Sequence, residues 1–260
     1  MKIVDLSKTV QDSPKAPFFL RIKIKPNNRF FTKLMLRYLG LPFHLMPDDF
    51  EGWADDCICK LGVHSTTHID APVHYGSTCE GAPAEGIDAL PLERCIGPGV
   101  VLNMSHKAEG DPITVADLEA ELKRIDAHIG EDTITLIRTD RDRFHNEPDF
   151  WKRGTGMSAA ATEWLIDRGS RVMGIDQWGW DVPFHVHIAR SKAENRNDLF
   201  WEAHRVGIRK KYWHMEQLTN LSALPPKGFT VHVMPLKLAG ASAAPAALLR
   251  CWTKRLIAIE

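Results

Sequence analysis

Gly62-Val-His64-Ser-Thr-Thr-His68-Ile-Asp70-Ala-Pro72-Val-His74 packs three imidazoles and a carboxylate into eleven residues. His64, His68, Asp70 and His74 share even parity, so an extended backbone, whose side chains alternate between faces, turns all four the same way. A helix also puts His64 and His68 on one face, but the Ser65-Thr66-Thr67 run and Pro72 argue for an extended segment. Neutral imidazole with carboxylate is the ligand set of zinc, manganese or iron. A lone histidine is most often a hydrogen-bonded core or surface residue, whereas four convergent ligand types point to a divalent metal.

Upstream, Lys2 to Leu6 reads as a strand, and Phe19 to Lys25 alternates apolar and basic residues as an edge strand stopped by Pro26. Cys57-Ile-Cys59 reads as alternation in a strand running into Gly62, since a C-x-C without a second pair is weak metal evidence. Phe30 to Leu39, between Asn28 and Gly40, has Phe31, Leu34, Met35, Tyr38 and Leu39 at helical spacing. Leu41 to Trp53 then reads either as a lid or subunit contact or as a structural insertion.

Downstream, the spacing predicts a strand over Val100 to Met104 and a helix N-capped by Thr114, with Val115, Leu118, Leu122 and Ile125 on one face. A strand over Thr133 to Arg138, a helix from Ser158 to Arg168 ended by Gly169, and a strand over Arg171 to Asp176 follow. Phe229 to Leu238 and Ala246 to Trp252 close the chain as strands. Strands alternating with helices indicate an α/β protein rather than an all-β jelly roll.

Asp176-Gln-Trp178-Gly-Trp180-Asp181 ends one of these strands, where α/β proteins often place sites. Trp178 and Trp180 suit the wall of an aromatic substrate pocket, or equally a plug in the core or at a subunit interface. His185 and His187 would face one side of a strand as a weaker metal pair. His204 and Glu216 lie in two aromatic-rich segments twelve residues apart. They are ordinary helix residues unless a turn, which Gly207 allows, brings them together.

With 260 residues, 44% apolar and 25% charged, the chain has the composition of a soluble globular protein of one large domain, or a domain with a subdomain. Zero formal charge and a pI near 7.2 speak against nucleic-acid and anionic-membrane partners. No apolar run reaches about 18 residues, and Met1 to Leu6 shows no cleavable apolar leader, so cytoplasmic location is the expectation. The five cysteines are an odd number without a secretory signal, which predicts reduced thiols.

The H-x-x-x-H-x-D-x-P-x-H spacing resembles the signature of the cyclase family of metal-dependent hydrolases, the family of bacterial kynurenine formamidases and isatin hydrolases. The resemblance runs along nearly the whole chain. Arg138-Thr139 matches its Arg-Thr turn, Gly174-Ile-Asp176 its G-I-D loop, His204 and Glu216 its distant His/Glu pair, and Pro235 to Leu238 its Pro-Leu-Lys-Leu strand. It implies a swivelling β/β/α fold, a single α/β domain over 1–260 with an N-terminal helical insertion at about 27–53. It also implies a homodimer or homotetramer and one or two ions of zinc or manganese. His64, His68 and Asp70 would hold the first ion, Asp70 would bridge to a second held by His204 and Glu216, and His74 would move the proton. Thr66 replaces the motif's usual Gly, an aromatic residue near Pro14 is missing, and Pro245-Ala-Ala247 lacks the family's Arg.

The expected activity is metal-assisted hydrolysis of an amide, lactam, lactone or ester bond in a small, aromatic substrate. Two alternatives stand beside it. One is an iron-dependent oxygenase using His68, Asp70 and His204 as a facial triad. The other is a non-catalytic protein that binds a metal or ligand.

Overall fold

Val100, Val101 and Leu102 follow one another along a single strand of the computed structural model, yet Val101 enters one core and its two neighbours another. That period-two alternation lays out the architecture. The structure describes residues 2–252. They fall into two compact units, one of Val10–Ser65 and one containing everything before and after it.

The larger unit holds an eight-stranded sheet in the order Lys2–Asp5, Ala243–Trp252, Phe229–Pro235, Ile96–Asn103, Ile134–Arg138, Val172–Ile175, Trp213–Glu216, His68–Asp70. Ala243, Ala244 and Pro245 also pair with Asp70, Ile69 and His68. This contact closes a seven-strand barrel and leaves Lys2–Asp5 joined to Ala243–Trp252 outside the ring. Ile96–Asn103, Ile134–Arg138, Val172–Ile175 and Trp213–Glu216 run parallel. Helices Val115–Arg124 and Ala159–Asp167 lie on the crossovers between the first three. Ile69, Val101, Leu136, Val172, Met215, Val231 and Leu248 fill the barrel interior. Val100, Leu102, Ile137, Met173 and Ile175 face outward, packed with Leu118, Leu122, Leu165 and Ile166 of the helices.

Both helices start where their caps predict. The Thr114 side chain accepts the Asp117 N–H while Asp117 accepts the Thr114 N–H, and the Ser158 side chain accepts the Ala161 N–H. Mixed α/β content is therefore observed, with a barrel rather than an open sheet at its centre. No helix among the described residues is long and apolar enough to cross a membrane.

Three local expectations are corrected. Trp213–Glu216 is a strand, not part of a helix. Phe184–Glu194 is a helix that begins directly after Pro183, so His185 and His187 are not strand neighbours. Pro72–Tyr75 is a helical turn with Pro72 at its first position, where a missing N–H costs nothing, so the extended run stops at Asp70.

The smaller unit pairs Lys23–Lys25 antiparallel with Cys57–Lys60 and carries the helix Arg29–Tyr38. The Asn28 side chain caps that helix at the Phe30 N–H. Its helical spacing holds, but Phe31 and Tyr38 are 64% and 89% exposed, and Leu34, Met35 and Leu39 are exposed with them. Cys57, Cys59, Cys79 and Cys95 are free thiols.

Candidate metal centre

Strand register builds the centre of the site. In the antiparallel pairing of Trp213–Glu216 with His68–Asp70, His214 lies opposite Asp70 and Glu216 opposite His68. The residues between them, Met215 and Ile69, point into the barrel. His68, Asp70, His214 and Glu216 consequently project from the outer face, where all four are buried. The turns Pro72–Tyr75 and His204–Ile208 bring His74 and His204 to the same place.

The two oxygens of each carboxylate face different partners. Asp70 Oδ1 is 3.2 Å from His68 Nε2, while Oδ2 is 3.2 Å from His214 Nε2, 3.6 Å from His74 Nε2 and 3.9 Å from His204 Nε2. Glu216 Oε2 is 3.7 Å from His68 Nε2, while Oε1 is 3.2 Å from His214 Nε2 and 3.5 Å from His204 Nε2.

Three of the four imidazoles are steadied from behind. His68 Nδ1 lies 2.7 Å from the Thr66 carbonyl, His214 Nδ1 3.0 Å from the Tyr75 hydroxyl, and His204 Nδ1 bonds Asp181 Oδ2. Asp181 also accepts the N–H groups of Ala203 and His204, at 2.8 and 3.0 Å, and faces His187 Nε2 at 3.3 Å. Glu216 is fixed by the N–H groups of Gly179 and Trp180, at 3.1 and 2.7 Å. Gly179 has φ +89°, a left-handed conformation that suits glycine. At Gly207 the demand is space, because a Cβ there would lie 2.0 Å from Tyr75 Cδ2.

Burial raises the affinity of Glu216 for a proton, but hydrogen bonds from His204 and His214 overcome it and hold the carboxyl below its ordinary range. Asp181 is lowered likewise, against burial, by His187 and His204. Burial works against a charged His204, yet Asp181 and Glu216 raise it to about 10. The cluster thus favours positive charge among its carboxylates.

The donors fit a divalent ion. Asp70, His204, His214 and Glu216 each offer a ligand atom, all within 4.8 Å of one another. They are nitrogen and oxygen donors of the kind zinc and manganese take, and a cation offsets the cost of burying two carboxylates together.

Of the residues singled out in the sequence, His68, Asp70, His74, His204 and Glu216 come together here. His64 is half-buried and belongs to the smaller unit, one residue before its end. Trp180 is fully buried: Nε1 donates to Thr162 Oγ1, and the ring stacks on His214 at 5.0 Å, so it offers no surface to a substrate. Trp178 is half-buried against Phe184. Thr66 has no positive φ, so the backbone there does not demand the motif's Gly. Asp176 accepts the Thr139 N–H and hydroxyl and the Asp140 N–H, which joins the Arg-Thr and G-I-D motifs into a structural corner.

Sequence reasoning missed His214, Tyr75, Asp181 and Trp201. The in-out order Trp213, His214, Met215, Glu216 was the available signal for His214. Trp201 stacks on His204 with centroids 4.4 Å apart and meets His74 edge-on at 5.2 Å.

The profile of the family described as "Putative cyclase" matches residues 4–182. An isatin hydrolase of Roseibium aggregatum is 28% identical over 202 residues, covering 71% of this chain and 70% of that protein. A kynurenine formamidase of Maricaulis maris is 29% identical over 189 residues, covering 71% of this chain and 75% of that protein. The fold is shared with a solved isatin hydrolase bound to the product analogue thioisatinate, with a TM-score of 0.70 at 23% identity over 97% of this chain and 93% of that one. A profile match over more than half of the chain, on a barrel whose outer face gathers the motif's own His and Asp, establishes that the chain belongs to the cyclase family of metal-dependent hydrolases.

Proposed function

We propose that the protein uses water and a divalent ion, zinc or manganese, to cleave an amide, lactam, lactone or ester bond in a small aromatic substrate. One observation carries the reading: two buried carboxylates whose oxygens face three imidazoles, each imidazole anchored through Nδ1 and presenting Nε2. The relatives named isatin hydrolase and kynurenine formamidase support the substrate class.

The proposed ligands are His64, His68, Asp70, His204 and Glu216. Asp70 turns one oxygen toward His68 and the other toward His204, so it would share in holding whichever ion or ions the set takes up. A zinc ion held there would lower the pKa of its bound water toward about 7 and polarise the scissile carbonyl. His74, with a side chain 25% exposed and Nε2 3.6 Å from Asp70, takes the proton of the attacking water at Nε2 and delivers it to the departing nitrogen or oxygen. Such transfer is worth roughly 10²–10⁴ in rate. Trp178 and Trp201 are half-buried and offer aromatic faces to the substrate ring, and Trp180 backs His214.

The facial-triad alternative leaves Glu216 and His214 without a role, and family membership favours hydrolysis. A swivelling β/β/α arrangement with an insertion at about 27–53 rests on the family resemblance. The homodimer or homotetramer is supported by the exposed apolar side chains of Arg29–Tyr38. Cytoplasmic residence completes the reading. A panel of aryl formamides, lactams and lactones tests it: turnover by the wild type, lost in the His68→Ala/Asp70→Ala double variant, is expected, and turnover retained in that variant contradicts it.

A further inference from the structure

His214 belongs to none of the motifs that carry the family resemblance, yet it stands between the two carboxylates of the site. It is fully buried, and its Nε2 stands 3.2 Å from both Asp70 Oδ2 and Glu216 Oε1. We propose that His214 is a direct metal ligand, completing a four-donor set of His204 Nε2, His214 Nε2, Asp70 Oδ2 and Glu216 Oε1. The proposal rests on the metal-dependent reading above and extends its ligand set.

Spacing is the first argument. Donors about 2.0–2.2 Å from a four-coordinate zinc ion lie roughly 3.3–3.6 Å from one another, because tetrahedral angles set the edge length. The gaps from His214 are 3.2 and 3.2 Å, and those from His204 are 3.5 Å to Glu216 and 3.9 Å to Asp70. Three of these four gaps fall within about 0.1 Å of that edge range, the fourth is longer at 3.9 Å, and the four donors all lie within 4.8 Å of one another.

Ring orientation is the second. A ligating histidine nearly always hydrogen-bonds its other nitrogen to an outer partner that fixes tautomer and plane. His214 has the Tyr75 hydroxyl at Nδ1, as His204 has Asp181. The plane is locked further by stacking, with the Tyr75 ring at 5.4 Å and 14° and the Trp180 ring at 5.0 Å and 22°. A histidine needed only to fill core would not have to aim its second nitrogen, which hydrogen-bonds Glu216 Oε1, between two carboxylates.

The competing role is that of a positioning donor, with an Nε2–H bonded to the carboxylates and no contact with the ion. Pulsed electron paramagnetic resonance on Mn²⁺-loaded protein separates the two by counting coordinated imidazole nitrogens, and a chelator-competition titration with Zn²⁺ gives affinity. His214→Phe keeps a ring in the stack, and His214→Gln serves if the first variant does not fold. One fewer coordinated nitrogen than wild type, with affinity weakened about tenfold or more, is the expected result. An unchanged nitrogen count overturns the ligand role while leaving the hydrolase reading intact. A wild-type protein that binds neither ion overturns both, and Glu216→Ala weakens binding whichever role His214 plays.

Discussion

His214 and Asp70 face each other across an antiparallel strand pair, with His214 Nε2 3.2 Å from Asp70 Oδ2. One register therefore sets both sides of the metal centre, because the same pairing places Glu216 opposite His68. A one-residue slip of either strand would turn its own two polar side chains into the barrel interior and bring out the Met215 or Ile69 between them.

Asp181 positions His204 through Nδ1 and through the backbone N–H groups of Ala203 and His204. Asp181→Asn keeps the size of the side chain but turns an amide NH₂ toward one of these donors. Zinc affinity should fall roughly 10–100-fold, the usual cost of losing an outer partner of a ligand. Chelator competition measures it, with circular dichroism to verify the fold. An unchanged dissociation constant would show that Asp181 does not orient the ligand.

Trp201 covers His204 and touches the edge of His74. Its removal in Trp201→Ala should raise KM for an aromatic substrate by roughly 2- to 12-fold, equivalent to about 0.5–1.5 kcal/mol of ring contact. The same variant should leave kcat nearly unchanged, the mark of binding common to ground and transition states. A fall in kcat at constant KM would instead assign Trp201 to His74 positioning.

Much of this fold is legible in the sequence, for identifiable reasons. Thr114 and Ser158 announce helix starts because their hydroxyls satisfy local N–H groups. Val100 to Leu102 is apolar throughout because both faces of that strand are covered. The centre of the site was harder to read. Trp213–Glu216 has four residues, too few for periodicity to separate strand from helix, and aromatic side chains suit both. Pro72 looked like a helix breaker, although at the first position of a turn it starts one and swings His74 back to Asp70. Barrel closure through Ala243 to Pro245 depends on pairing with a strand far away in the chain, which no local pattern encodes.

Gly207 packs against the face of Tyr75, and a Cβ there would lie 2.0 Å from a ring carbon. Gly207→Ala should cost about 1–3 kcal/mol by overpacking. At roughly 2–4 °C per kcal/mol, a thermal melt resolves the loss. An unchanged melting temperature would mean that the turn yields without strain.

Acid stability should depend on His145. Burial, reinforced by Lys8, lowers its pKa from 6.5 to about 3, and its ring packs edge-on against Phe150. Between those values the unfolded chain binds the proton that the folded one refuses. The contribution of His145 is thus fully present above pH 6.5 and is lost as pH falls toward 3. His145→Gln should flatten stability against pH in that window, read from urea midpoints. A slope identical to wild type would contradict the assignment.

The most direct measurement of the central claim is elemental analysis of the purified protein, comparing wild type with Glu216→Ala. Metal-dependent hydrolysis at this site predicts one or two equivalents of zinc or manganese per wild-type chain and a clear loss in the variant. Equal metal in both proteins would remove Glu216 from the site, and no metal in either would contradict the account as a whole.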